Sequence, residues 1–203
     1  MVDVKKLGKK HVHYCTHCDN RASYLLYFTN PVIIQQGSNG ALCEKCFELL
    51  DEVRIDIIKG NASEIARLSG EAVQTKGVDA AEVKKDLVQL AQSLAKKRHT
   101  AVVITGKEDI VADERKVYIV KNGHPMMANI VGTGCMAASV IGTFAAVEKD
   151  LSLASAAALV VFEIAAECAA KDALGPGTFK ERIFDCLFNL DKKTIDSMQK
   201  VEA

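Results

Sequence analysis

Aromatic side chains are scarce here, 5% of 203 residues, and tryptophan is absent. In the first fifty residues only Tyr14 and Phe47 stand outside one short strand-like pair, which argues against a base-stacking platform for nucleic acid. Charge of either sign is not in excess: 26 Lys and Arg balance 26 Asp and Glu, so no net field draws the chain to nucleic acid or a membrane surface. No G-x-x-x-x-G-K-[ST] occurs, which excludes a P-loop. The longest apolar stretch, Leu151 to Ile164, is broken by Glu163 and is too short to span a bilayer. Met1 to Lys10 is basic without an apolar run, so a secretory signal is not expected there. Seven cysteines in such a setting point to reduced thiols or metal ligands, and the expected address is the cytosol. Repeats and low-complexity tracts are also absent.

Four of those cysteines are patterned. Cys15-x2-Cys18 and Cys43-x2-Cys46 are separated by 24 residues. Each pair can place two sulfurs on one ion, and two such knuckles complete a tetrahedral zinc site. Between them Tyr24 to Phe28 and Val32 to Ile34 read as two short strands with turns. The segment resembles a zinc ribbon, expected as a module over residues 1–50 with a structural Zn2+ on Cys15, Cys18, Cys43 and Cys46. The alternatives are four free thiols in a core, or substitution by His11, His13 or His17.

From Leu49 onward strands and helices alternate. Arg54 to Ile58 reads as a strand. Asn61-Ala62-Ser63-Glu64 is a capping box before a helix to Ser69, and Asp79 to Glu82 opens a second, longer helix with a basic end. Ala101 to Ile104 is a β-branched run suited to a central strand covered on both faces. A hairpin pair follows around Asp113-Glu114-Arg115. A helix to about Glu148 comes next, then a nearly all-apolar, hence buried, helix from Ser152 to Ala173. Gly175-Pro176-Gly177 stops it, and a last helix runs through Leu190. This order implies an α/β layered sandwich over residues 51–203.

The chain is arranged around Val131-Gly132-Thr133-Gly134-Cys135. Two glycines allow a sharp turn and close approach of a ligand. The helix start behind them offers N–H groups to an anion, with phosphate the natural guest, and favours the thiolate form of Cys135. A tight turn with no ligand is the competing reading. Gly132 to Ala137 also fits G-x-G-x-x-A, but no strand precedes it, so a dinucleotide fingerprint is rejected.

Four motifs in one order carry a resemblance: Gly60-Asn61-Ala62-Ser63-Glu64-Ile65, Ile104-Thr105-Gly106, Asn122-Gly123-His124-Pro125 leading to Gly132–Cys135, and Gly175-Pro176-Gly177-Thr178-Phe179. Together they resemble the C-terminal half of hydroxyethylthiazole kinase, a ribokinase-like family, from about Leu50 to Asp191. The resemblance implies magnesium-dependent transfer of the ATP γ-phosphate to the hydroxyl of 4-methyl-5-(2-hydroxyethyl)thiazole in thiamine salvage. It places Gly132 against the thiazole, Gly134 and the loop amides around the moving phosphate, and Cys135 as catalytic base. It also implies ATP contacts at Lys59, Asn61, Thr105 and Gly106, and water-mediated magnesium binding at Glu64. Lys59 stands where the family more often has Arg, so a two-pronged phosphate contact becomes a single ammonium contact.

Kinases of this kind carry roughly a hundred further residues before the strand at Ile55. Without them β-strands near Ile55 would present an uncovered edge, and an acidic magnesium residue would be missing. The resemblance further implies a homo-oligomer, a trimer in the family. Two function classes follow: a hydroxyethylthiazole kinase, or a zinc-ribbon binding module fused to a truncated, catalytically impaired kinase half.

Overall fold

The computed structural model describes residues 24–27, 32–35, 54–70 and 80–203. Strands β1 (Tyr24–Tyr27), β2 (Val32–Gln35) and β3 (Ile57–Asn61) come first, followed by helices α1 (Ala62–Ser69) and α2 (Ala80–Arg98). Strands β4 (Ala101–Thr105), β5 (Asp109–Ala112) and β6 (Val117–Val120) follow. A 3-10 turn (Pro125–Asn129) leads into α3 (Thr133–Ala145), α4 (Leu151–Lys171), α5 (Pro176–Asn189), α6 (Lys192–Met198) and β7 (Val201–Glu202).

All seven strands lie in one mixed sheet whose spatial order is their chain order. β2, β3 and β4 run parallel, and the remaining pairs are antiparallel. The strand pair expected between the cysteine pairs is therefore present, yet it continues the main sheet. Ile33 pairs with Ile57 and Ile34 with Ile58, so the edge expected at β3 is occupied by β2. The physical reason is that β3 is buried on both faces and offers an unpaired ladder that the Val32-Ile33-Ile34 run of β2 can complete. Cys15, Cys18, Cys43 and Cys46 lie outside the described residues, as does the boundary expected between residues 50 and 51. Among the described residues no group of three or more His, Cys, Asp or Glu could hold a metal ion.

Period-two alternation divides the core into two layers. Ile58, Val102, Ile104, Ile110 and Ala112 pack with Ile65, Leu68, Leu90 and Leu94 of α1 and α2. Ile57, Ala101, Val103, Val111 and Val120 face the other way, onto Ile141, Leu159, Phe162 and Phe179 of α3, α4 and α5. The result is the layered α/β sandwich that the element order implies. β3 begins at Ile57, three residues after the Arg54 start that the sequence pattern predicts, and α6 and β7 follow the last predicted helix.

Helix α4 spans 21 residues, longer than the interrupted apolar run suggested, and by length and composition alone could cross a membrane. Inside the fold it is the core helix, with 67% of its apolar window buried. Both α3 and α5 pack against it, and its two inward acids, Glu163 and Glu167, serve the site end of the sheet.

Candidate functional site

β3 passes into α1 without a connecting residue, and the junction explains its own sequence. Asn61 is the N-cap: its Oδ1 accepts from the Glu64 N–H at 2.9 Å, while Glu64 Oε2 accepts from the Asn61 N–H at 2.7 Å. This reciprocal box draws the Glu64 carboxylate back over the end of β3. A Cβ on Gly60 would stand 3.0 Å from both Glu64 Cβ and Oε2 and 3.3 Å from Ile65 Cδ1, so only glycine leaves that carboxylate its place. Glu64 is 5% exposed, and burial raises its carboxyl above the ordinary range, opposed by the Asn61 N–H and by Lys59.

Lys59 shares its face of β3 with Ile57 and so projects into the layer of α3 to α5. It is 4% exposed. Burial lowers its pKa, and the charges of Asp109, then Glu64, then Cys135 oppose that shift. Cys135, at the start of α3, is thus near enough to Lys59 of β3 for its charge to be felt there.

The 3-10 turn, capped by His124, delivers the chain to Gly132, whose φ of 102° lies in the left-handed region. Glycine reaches that conformation without strain. α3 starts at the next residue, with Met136 N–H bonded to Gly132 O at 2.9 Å and Cys135 exposed in the first turn. First-turn amides direct their hydrogens out of the helix and favour an anion there. No strand precedes this turn, in keeping with rejection of a dinucleotide fingerprint.

Thr105 ends β4 directly opposite Asn61, and its Oγ1 lies 3.5 Å from Gly60 O. The Gly106 N–H donates to Asp109 Oδ1 at 2.8 Å. The nucleotide-side candidates Lys59, Asn61, Glu64, Thr105 and Gly106 therefore gather at one end of β3 and β4. Gly132 is the N-cap of α3, and Gly134 and Cys135 lie in its first turn.

Two residues escaped sequence reading. Asp109 opens β5 at 4% exposure, and Glu163 of α4 lies beside it at 5% exposure, the two side chains hydrogen-bonded to each other. Burial pushes both carboxyls up, Glu163 furthest because Asp109 and Glu167 add like charge. The signal available in the sequence is an acid, Glu163, inside an otherwise apolar, inward-facing helix.

The chain matches the profile of the hydroxyethylthiazole kinase family over residues 25–193, a span that begins within β1. It is 46% identical over 175 residues to a hydroxyethylthiazole kinase of Methanosarcina mazei, covering 85% of this chain and 67% of that one. Among solved structures it is similar to the hydroxyethylthiazole kinase protein from Pyrococcus horikoshii, with a TM-score of 0.73 and 30% identity over 86% of this chain and 65% of the other. A ribokinase-like superfamily protein from Enterococcus faecalis shares the fold at 15% identity and a TM-score of 0.53, covering 76% and 62%. The chain thus spans about two thirds of the length of these relatives. With its ribokinase-like α/β sheet and a match that runs from β1 to the start of α6, the chain belongs to the hydroxyethylthiazole kinase family.

Proposed function

We propose that this protein transfers the γ-phosphate of ATP to the hydroxyl of 4-methyl-5-(2-hydroxyethyl)thiazole. The observation that carries the reading is the convergence of Lys59, Glu64 and Cys135 at one end of β3. Phosphoryl transfer asks for positioned positive charge and N–H donors around the moving group, plus a proton acceptor for the attacking alcohol. Lys59 supplies the cation for the ATP phosphates, with Asn61, Thr105 and Gly106 beside them. The Gly134 and Cys135 end of α3 faces the transferred group, Gly132 lies against the thiazole, and the Cys135 thiolate takes the hydroxyl proton as the new P–O bond forms and ADP leaves.

The residues present fit magnesium. Glu64 offers a hard oxygen donor whose Oε1 accepts no hydrogen bond among the described residues, and Mg2+ is commonly held by one or two carboxylates, waters and substrate phosphates. Glu64 would hold the ion through water, and the bound ion would neutralise charge on the β- and γ-phosphates.

In the same reading the protein works in the cytosol, where ATP is supplied. It assembles as a homo-oligomer, a trimer by the family resemblance; Phe184 and Phe188, 54% and 89% exposed on α5, supply apolar surface for such contacts. The C-x2-C pairs support a structural zinc on Cys15, Cys18, Cys43 and Cys46. The deciding experiment is ADP release by the purified protein with ATP and Mg2+, with and without the thiazole alcohol, and zinc content on the same sample. Thiazole-dependent ADP supports the kinase. Its absence with about one zinc per chain supports the second reading, a zinc-ribbon binding module on an impaired kinase core.

A further inference from the structure

Asp109 and Glu163 are the most deeply placed acids near the site, and the chemistry assigned above uses neither. Asp109 shares its face of β5 with Val111, and therefore points into the same layer as Lys59. It accepts the Gly106 N–H at 2.8 Å, fixing the turn that ends β4. Behind it, α4 brings Glu163 into hydrogen-bond contact. Glu163 Oε2 is buried and, taken as a carboxylate, meets no partner among the described residues. Two carboxylates cannot share such a contact without a proton between them, so one member must be the acid. Lys59 selects which. Its charge is felt by Asp109 first, then Glu64 of α1 and Cys135 of α3, whereas the charges that bear on Glu163 among the described residues are those of the acids Asp109 and Glu167. The cation favours charge on Asp109, which leaves the proton on Glu163.

We propose that Asp109 and Glu163 act as one positioning unit for the phosphate site: Asp109 holds the Gly106 N–H and balances the nearby charge of Lys59, and the Glu163 carboxyl holds Asp109 by donating a hydrogen bond to it. The inference rests on the kinase reading. In that role neither acid touches the transferred group. Together they set where the Gly106 amide stands, and Asp109 supplies negative charge that opposes the effect of burial on Lys59.

The test is MgATP affinity of the full chain by calorimetry for wild type, Asp109→Asn, Glu163→Leu and Glu163→Gln, with the Gly106 amide resonance followed in the ligand-free proteins. Asp109→Asn removes the charge, and Glu163→Leu removes the donor at similar size. Each is expected to weaken ATP about ten-fold or more, as a KM effect larger than any on kcat. Glu163→Gln restores the donor, so it should recover both the affinity lost in Glu163→Leu and the Gly106 resonance position. Equal ATP affinity in Glu163→Leu, Glu163→Gln and wild type overturns the positioning unit alone, as does an unmoved Gly106 resonance in Glu163→Leu. Wild-type protein that binds no MgATP overturns the kinase reading and this inference with it. Should Asp109→Asn fail to fold, the two Glu163 variants decide the matter by themselves.

Discussion

Gly60 and Glu64 occupy the same space to within a single methyl group: a Cβ at position 60 would lie 3.0 Å from the Glu64 carboxylate oxygen that closes the cap on α1. The absence of a side chain at one residue therefore determines where the acid of the other stands.

Gly60→Ala should push that carboxylate away from the end of β3. Stability is expected to fall by about 1 kcal/mol, read from urea unfolding. Turnover should fall on the order of ten- to a hundred-fold with a raised magnesium requirement, because small misplacements near reacting groups are costly. Unaltered magnesium dependence in a folded Gly60→Ala protein would show that Glu64 does not serve the ion.

Cys135→Ser replaces the proposed proton acceptor with a hydroxyl that stays protonated at neutral pH. Transfer should drop by about 100-fold or more, the usual contribution of a positioned base, while ATP binding stays nearly intact because the first-turn amides remain. Single-turnover rates together with ATP titration check this. A variant as fast as wild type rules out the base assignment.

Phe179, with no exposed surface, packs its ring 6.0 Å from that of His124, the cap of the 3-10 turn before Gly132. Phe179→Ala should cost about 3–5 kcal/mol in unfolding free energy. A loss well below that range would mean that α5 collapses onto the vacancy.

Asp150 caps α4, accepting from the Leu153 N–H at 3.1 Å and the Ser152 hydroxyl at 2.8 Å while pairing with Lys116. The Lys116 contact first, then the Leu153 N–H, lower its carboxyl from 3.8 to about 2. A lowered folded-state value contributes stability that is fully present above the unfolded value and is lost as pH falls through the folded one. Asp150→Ala should therefore cost about 1 kcal/mol at neutral pH, and the difference from wild type should vanish between about pH 4 and pH 2. Unfolding curves across that window provide the check, and a difference that persists below pH 2 would contradict it.

What the sequence by itself determined about this protein is what short-range chemistry controls. The Asn61–Glu64 box, the turn at Gly132 and the helix stop at Gly175-Pro176-Gly177 depend on residues within four positions of one another, so spacing alone displays them. The same holds for the doubly covered strand Ala101–Thr105, whose unbroken apolar run states its burial. Tertiary structure decided the rest. β2 completes β3 because an apolar ladder needs a partner, and no local pattern says which strand will supply it. Asp109 and Glu163, distant in the chain, meet because β5 and α4 pack face to face, and that burial pushes both carboxyls up. Hydrogen bonds between neighbours are written in spacing, whereas desolvation depends on what the whole fold places around a group.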